Sequence, residues 1–215
     1  MKTIRVRLDF IDEILGTAAA DPEIHRSYIA SKAPDAQSIE QEVAAVGVDD
    51  VEEKAMTVFP RNHYGEPIFW NYQIKGFFKS ACSALRAIEG TKSSKLKAYK
   101  KQIDLRIFVF PQAYDPSLRE IIIHTEKPIG SCQRPLRAST AQGERIALAN
   151  SEMIAPGAWC EFDIMMLNDS DEALVKEWLD YGRLNGLGQW RNSGKGAFVW
   201  KEITKEITKE ITKES

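Results

Sequence analysis

The sequence predicts an α+β domain in which a strand, an insertion, a helix, further strands, a second helix and a last strand follow in that order. Three observations carry this. Residues 3–10 alternate apolar and polar with period two, two segments repeat apolar residues at helical spacing, and a glycine-rich stretch joins the second of them to a short aromatic run. At 215 residues, 43% of them hydrophobic and 28% charged, the chain suits one domain with a buried core and an inserted lobe.

The alternation places Ile4, Val6, Leu8 and Phe10 on one face of a first strand. From Gly16 to about Pro67 the pattern weakens, and this stretch reads as an insertion over about 17–67. Within it Asp21-Pro22-Glu23 resembles an N-cap with proline in the first turn, and Ala33-Pro34-Asp35 stops that helix. Between Asp35 and Glu53 there are seven acidic residues and no basic one, the pattern of a solvated acidic helix.

The clearest helix begins near Asn71, where Ile74, Phe77, Phe78, Ala81, Cys82, Leu85 and Ile88 recur at helical spacing, and Gly90 is expected to end it. Lys75, Lys79 and Arg86 fall between the apolar positions. Lys92, Lys95, Lys97, Lys100 and Lys101 follow, ahead of a second strand expected over Ile103 to Phe110. Residues 73–106 thus carry nine basic and two acidic side chains, although the whole chain has a net charge of -2.

Glu120 to Thr125 is a β-branched strand candidate. A loop rich in Gly, Pro and Ser, Lys127 to Gly143, then separates it from a strand at Arg145 to Ile154, so 127–157 reads as a hairpin-like excursion. Ala158 to Leu167 is a further strand. Asn168-Asp169-Ser170-Asp171 caps a second helix whose Leu174, Val175, Trp178, Leu179 and Leu184 are expected inside. After the glycines of 186–196, Ala197 to Trp200 reads as the final strand. The domain is expected to span 1–201, with the Glu-Ile-Thr-Lys repeat of 202–215 as a solvated tail.

The near-neutral charge argues against a globally basic nucleic-acid or membrane-surface binder, so any such affinity must be local. No run reaches the roughly 18 apolar residues of a membrane span, and Met1-Lys2-Thr3 does not open a signal peptide, which makes a cytoplasmic protein without membrane partners the expectation. Cys82, Cys132 and Cys160 lack C-x-x-C spacing and the three histidines are dispersed, so neither a metal nor a cofactor is expected.

The element order is that of a βαββαβ ferredoxin-like unit, an antiparallel sheet with its helices on one face. Fold alone names no activity. The informative stretch is Gly186-Leu187-Gly188-Gln189-Trp190-Arg191-Asn192-Ser193-Gly194-Lys195-Gly196, where four glycines surround two cations. Glycine admits positive φ and close approach to the backbone, and the cations suit phosphate. The stretch follows a helix and precedes a strand, the reverse of a P-loop or dinucleotide fingerprint, and it lacks G-K-[ST].

This stretch, followed by Phe198, resembles the glycine-rich loop that marks the RAMP superfamily of CRISPR-associated RNA-binding proteins. Ile74-Lys75-Gly76-Phe77-Phe78-Lys79-Ser80 is similar to that family's S-x-K-G-x-x-R helix start, with Tyr72-Gln73 in place of the usual serine pair and Lys79 in the arginine position. The resemblance implies RNA contact through Lys75, Lys79, Gly188, Arg191, Lys195 and Gly196. Gly186 and Gly194 complete the loop, Arg86 extends the basic face of the helix, and Trp190 offers a surface on which an unpaired base could stack. A competing reading assigns the glycines to a tight helix-to-strand turn and the lysines to solubility.

Some members of the superfamily cleave RNA without metal, using a histidine to activate the ribose 2′-hydroxyl, and His63, beside Tyr64, is the catalytic candidate on that account. His25 and His124 read as structural, and no other catalytic motif is present. The resemblance favours a non-catalytic subunit that binds single-stranded guide or repeat RNA within a multisubunit ribonucleoprotein of antiviral defence. A metal-independent endoribonuclease that processes repeat RNA is one alternative. A phage-borne or mobile-element protein acting as a structural or inhibitory partner is the other.

Overall fold

A computed structural model describes residues 1–20, 56–111, 118–140 and 143–203, with the backbone alone for 135–140 and 143–148. The helix read after Asp21, the acidic stretch 35–53 and the repeat beyond Ile203 lie outside the described residues. In chain order the elements are β1 (Lys2–Phe10), β2 (Ile14–Leu15), β3 (Ala18–Ala19), β4 (Met56–Val58), β5 (Ile68–Trp70), α1 (Asn71–Leu85), α2 (Tyr99–Arg106), β6 (Ile107–Phe110), β7 (Glu120–Ile122), β8 (Gly130–Thr140), β9 (Gly143–Ile154), β10 (Trp159–Met166), α3 (Glu172–Tyr181) and β11 (Phe198–Glu202). The fold is α+β. Among the described residues no helix is long and apolar enough to cross a membrane.

Four strands form one sheet in the order β11-β1-β10-β6, and every pair in it is antiparallel. The period-two pattern of β1 explains its central place: Ile4, Val6, Leu8 and Phe10 are buried, and they share a single core with Ile74, Phe77 and Phe78 of α1 and Val175, Trp178 and Leu179 of α3. Burying side chains of this size stabilises the fold by roughly 1.5–3 kcal/mol each. The two helices touch each other as well as the sheet. On the opposite face of the sheet Arg5 pairs with Asp163 and Glu161 of β10, and Arg7 pairs with Asp9 of its own strand and with Glu161 of β10, so these cations are neutralised within and between strands.

A second sheet has the order β2-β9-β4-β3, with β8 on the other edge of β9, and β5 pairs with β7 alone. Three expected elements are corrected here. The stretch Lys127 to Gly143 is not a loop throughout: Gly130–Thr140 is a strand paired along its length with β9. Its composition misled because it is an edge strand, where polar side chains and Pro135 are tolerated. The strand expected over Ile103 to Phe110 starts only at Ile107; the residues before it finish α2, which buries Ile103 and no other side chain, leaving no apolar stripe to read. The last strand runs past Trp200 to Glu202, which pairs with Val6.

Two apolar assignments also change. The helix α1 ends at Leu85 and leaves Ile88 54% exposed, and Leu184 is 74% exposed beyond the end of α3. Each obeys helical spacing but lies past its helix, in turns that face solvent. The three cysteines are free thiols, with Cys82 and Cys160 buried.

Candidate nucleic-acid interface

The start of α1 is set by Gln73, whose Oε1 accepts from the Trp70 amide at 2.8 Å while its Nε2 donates to Thr17 Oγ1 at 2.9 Å. One turn on, Lys75 and Lys79 point toward α2. The Lys79 ammonium lies 2.6 Å from Asp104 Oδ1, and Lys75 Nζ donates to the Asp104 carbonyl at 3.2 Å. Burial pulls the Lys75 ammonium below its ordinary pKa, with Asp104 acting against that shift. The Arg86 guanidinium sits 5.2 Å from the centre of the Tyr99 ring. All three predicted cations of α1 therefore have partners within the protein.

A second group of cations lies next to them. Lys92, Lys95, Lys97, Lys100 and Lys101 are all exposed, and none forms an ion pair among the described residues. A 3-10 turn, Ser93–Lys95, and α2 carry this segment, and both pack on α1. Ser93 is fully buried beneath it, receiving a hydrogen bond from Trp178 Nε1 at 2.9 Å and donating to Glu177 at 2.6 Å. The lysines are thus mounted on a turn anchored to α3. The excess of charge here is visible in the sequence, whereas the resemblance points to Lys75 and Lys79.

The glycine loop joins α3 to β11 and rests against the turn that follows β1. Gly186 and Gly196 pinch its ends together: a β-carbon on Gly186 would come within 1.7 Å of the Gly196 carbonyl oxygen, and one on Gly196 within 1.7 Å of that of Leu187. Their first duty is this closure. The amides of Leu187, Ser193, Gly194, Gly196 and Ala197 are bonded to backbone carbonyls within the loop or at Glu13. Lys195 Nζ lies 2.6 Å from Glu13 Oε2 and 3.1 Å from Asp12 Oδ1, latching the loop to the end of β1. Gly188 packs on Leu15, and Gly194 closes the 3-10 turn Arg191–Ser193. Arg191 makes no ion pair among the described residues and is partly exposed.

At the outer part of the loop Trp190 is 40% exposed and has a left-handed backbone, φ 56°. The Arg134 guanidinium of β8 lies 5.0 Å from the centre of its ring, and Arg134 Nη2 donates to Gln189 Oε1 at 2.9 Å. Arg134 had no signal in the sequence, because only the folded hairpin brings it to this loop. His63 sits on an exposed turn organised by Asn62, with its ring 3.6 Å from that of Tyr64. Among the described residues no group of three or more His, Cys, Asp or Glu could hold a metal ion.

No protein-family model matches the chain, and no curated protein matches it. Among solved structures the fold is similar to a chain of the Type III-B Cmr-beta complex bound to cognate target RNA, with a TM-score of 0.46 and 9% identity over 94% of this chain. The chain spans 60% of the length of that neighbour. It is also similar to a chain of a Type IV-B CRISPR complex, with a TM-score of 0.44 and 8% identity, covering 100% of this chain and 96% of the other.

Proposed function

We propose that the chain is an RNA-binding subunit of a ribonucleoprotein complex, built on a ferredoxin-like unit of the RAMP kind and engaging single-stranded guide or repeat RNA. The observation that carries this reading is the row of five exposed lysines on the anchored turn and α2, which have no ion-pair partner among the described residues. Clustered cations of this sort neutralise phosphates and release counterions, which supplies affinity without sequence preference. The order β11-β1-β10-β6, with α1 and α3 on the same core, supports the ferredoxin-like reading. The glycine loop between α3 and β11 supports the same reading. Its Lys195 is engaged at Asp12 and Glu13, so Arg191 and the exposed lysines carry the phosphate contacts in this account. The domain is taken as 1–203, extended by two residues because Glu202 pairs in the sheet and the Ile203 amide donates to Arg5.

Purification of the full chain, with and without nuclease treatment, tests the reading. Uncleaved RNA that travels with the protein and is released by high salt is the expected result. RNA cut to products of defined ends would instead favour the endoribonuclease, with His63 as the residue to replace. Protein free of RNA that also fails to bind added RNA would overturn both.

A further inference from the structure

We propose that Trp190 and Arg134 form a two-part subsite for a single unpaired nucleobase and its flanking phosphate, with the indole as stacking platform and the guanidinium as its support and anion partner. This rests on the RNA-binding reading above.

Three observations converge on the pair. Trp190 holds a large aromatic side chain 40% exposed on a left-handed backbone, a conformation disfavoured for bulky residues. The conformation is enforced: the Trp190 carbonyl accepts from the Ser193 amide at 3.1 Å and from Ser193 Oγ at 3.0 Å. Arg134 then backs the ring at 5.0 Å, and its Nε and Nη1 are buried with no hydrogen-bond acceptor among the described residues.

Buried donors without acceptors are rare in folded proteins, and a guanidinium is suited to phosphate oxygens by its planar fork of donors. A phosphate oxygen admitted between the hairpin and the loop satisfies them. An exposed indole backed by a cation presents a flat apolar surface to any base, and purines, with the larger ring system, gain most. Gln189, bonded to Arg134, holds the guanidinium in register with the ring.

The test uses the full chain with fluorescein-labelled 12-nucleotide oligoadenylate and oligouridylate. In wild type, oligoadenylate binds more tightly and quenches tryptophan emission. Trp190→Ala is expected to weaken oligoadenylate binding about tenfold, equivalent to 1.4 kcal/mol, and oligouridylate binding less, so that the purine preference shrinks. Trp190→Phe keeps a ring and is expected to retain most of the affinity while losing the quenching. Arg134→Lys, which keeps the charge and removes the planar fork, is expected to weaken both oligonucleotides several-fold. If wild type binds both RNAs and neither Trp190→Ala nor Arg134→Lys changes their affinity, the subsite is overturned and the wider RNA reading stands. Quenching that persists in Trp190→Phe overturns it too, since another tryptophan is then the platform. If wild type binds neither RNA, the wider reading fails and the subsite with it. Because Trp190→Phe is read in a protein that still binds, a loss of folding in Trp190→Ala leaves the decision intact.

Discussion

Glu177 of α3 holds Ser93 by both ends: one carboxylate oxygen accepts from the Ser93 amide at 3.0 Å and from Ser93 Oγ at 2.6 Å. The other accepts from the Lys92 amide at 2.6 Å. The segment that displays the exposed lysines is therefore positioned by a negative charge. Glu177→Ala leaves buried donors without acceptors, at a cost of about 1–3 kcal/mol, and is expected to lower Tm. It is also expected to weaken RNA binding although every lysine remains. The direction decides the matter, because removing an acidic group would by charge alone strengthen RNA binding. Unchanged or stronger binding would show that the turn needs no anchor.

The two faces of α1 are separated by comparing neighbours. Phe78 is fully buried against Trp178, with ring centres 5.7 Å apart, and Phe78→Ala is expected to destabilise by about 3–5 kcal/mol. Lys79→Ala removes a partly exposed ion pair with Asp104, an interaction class worth about 0.2–1 kcal/mol. Thermal melts of the two variants should differ plainly, and equal Tm values would contradict the packing described.

Lys195 gives a prediction with a pH sign. The hydrogen bond to Glu13 raises its ammonium pKa above the ordinary 10.5, with Asp12 adding to this and burial opposing it. A group whose pKa is raised on folding contributes stability that is fully present below the unfolded value and is lost as pH climbs through the folded one. Lys195→Met is thus expected to lower Tm by about 2–4 °C at pH 7, with the gap to wild type closing above pH 10.5. The resemblance read from the sequence assigned this lysine to RNA contact. A gap that stays constant with pH, or no gap, would show that the latch is idle.

The C-terminal boundary is tested by two truncations. Removing residues from Thr204 onward is expected to leave a folded domain with Tm near that of the full chain. Removing residues from Lys201 onward deletes the pairs Lys201 with Arg7 and Glu202 with Val6, and the Lys176–Glu202 ion pair, and is expected to lower Tm measurably. Equal melts for both would mean that the last strand ends at Trp200 after all.

Much of the central sheet and core was legible in the sequence because its signals are local. The period-two β1, the Phe-rich stripe of α1 and the Trp178 face of α3 each state their buried side in a few residues. What stayed hidden depends on partners distant in the chain. β8 is a polar edge strand that exists through its pairing with β9, and α2 has too few buried residues to show a period. The candidate site divides in the same way. Lysines 92 to 101 were visible as a charge excess, yet only the structure shows that Lys75, Lys79 and Lys195 are already paired and that these five have no ion-pair partner among the described residues. The Arg134–Trp190 contact joins two stretches that nothing in the sequence connects.

The salt dependence of single-stranded RNA binding, measured for the full chain and for a variant with Lys92, Lys95, Lys97, Lys100 and Lys101 all replaced by Gln, tests the account most directly. Each lysine that meets a phosphate contributes about 0.7 to the slope of log K against log salt, so five contribute about 3.5. The account predicts a wild-type slope of about -3.5 or steeper, and a variant that binds more weakly with a slope shallower by about 3.5. Wild-type protein that does not bind RNA at low salt, or a variant that matches its affinity and slope, would contradict it.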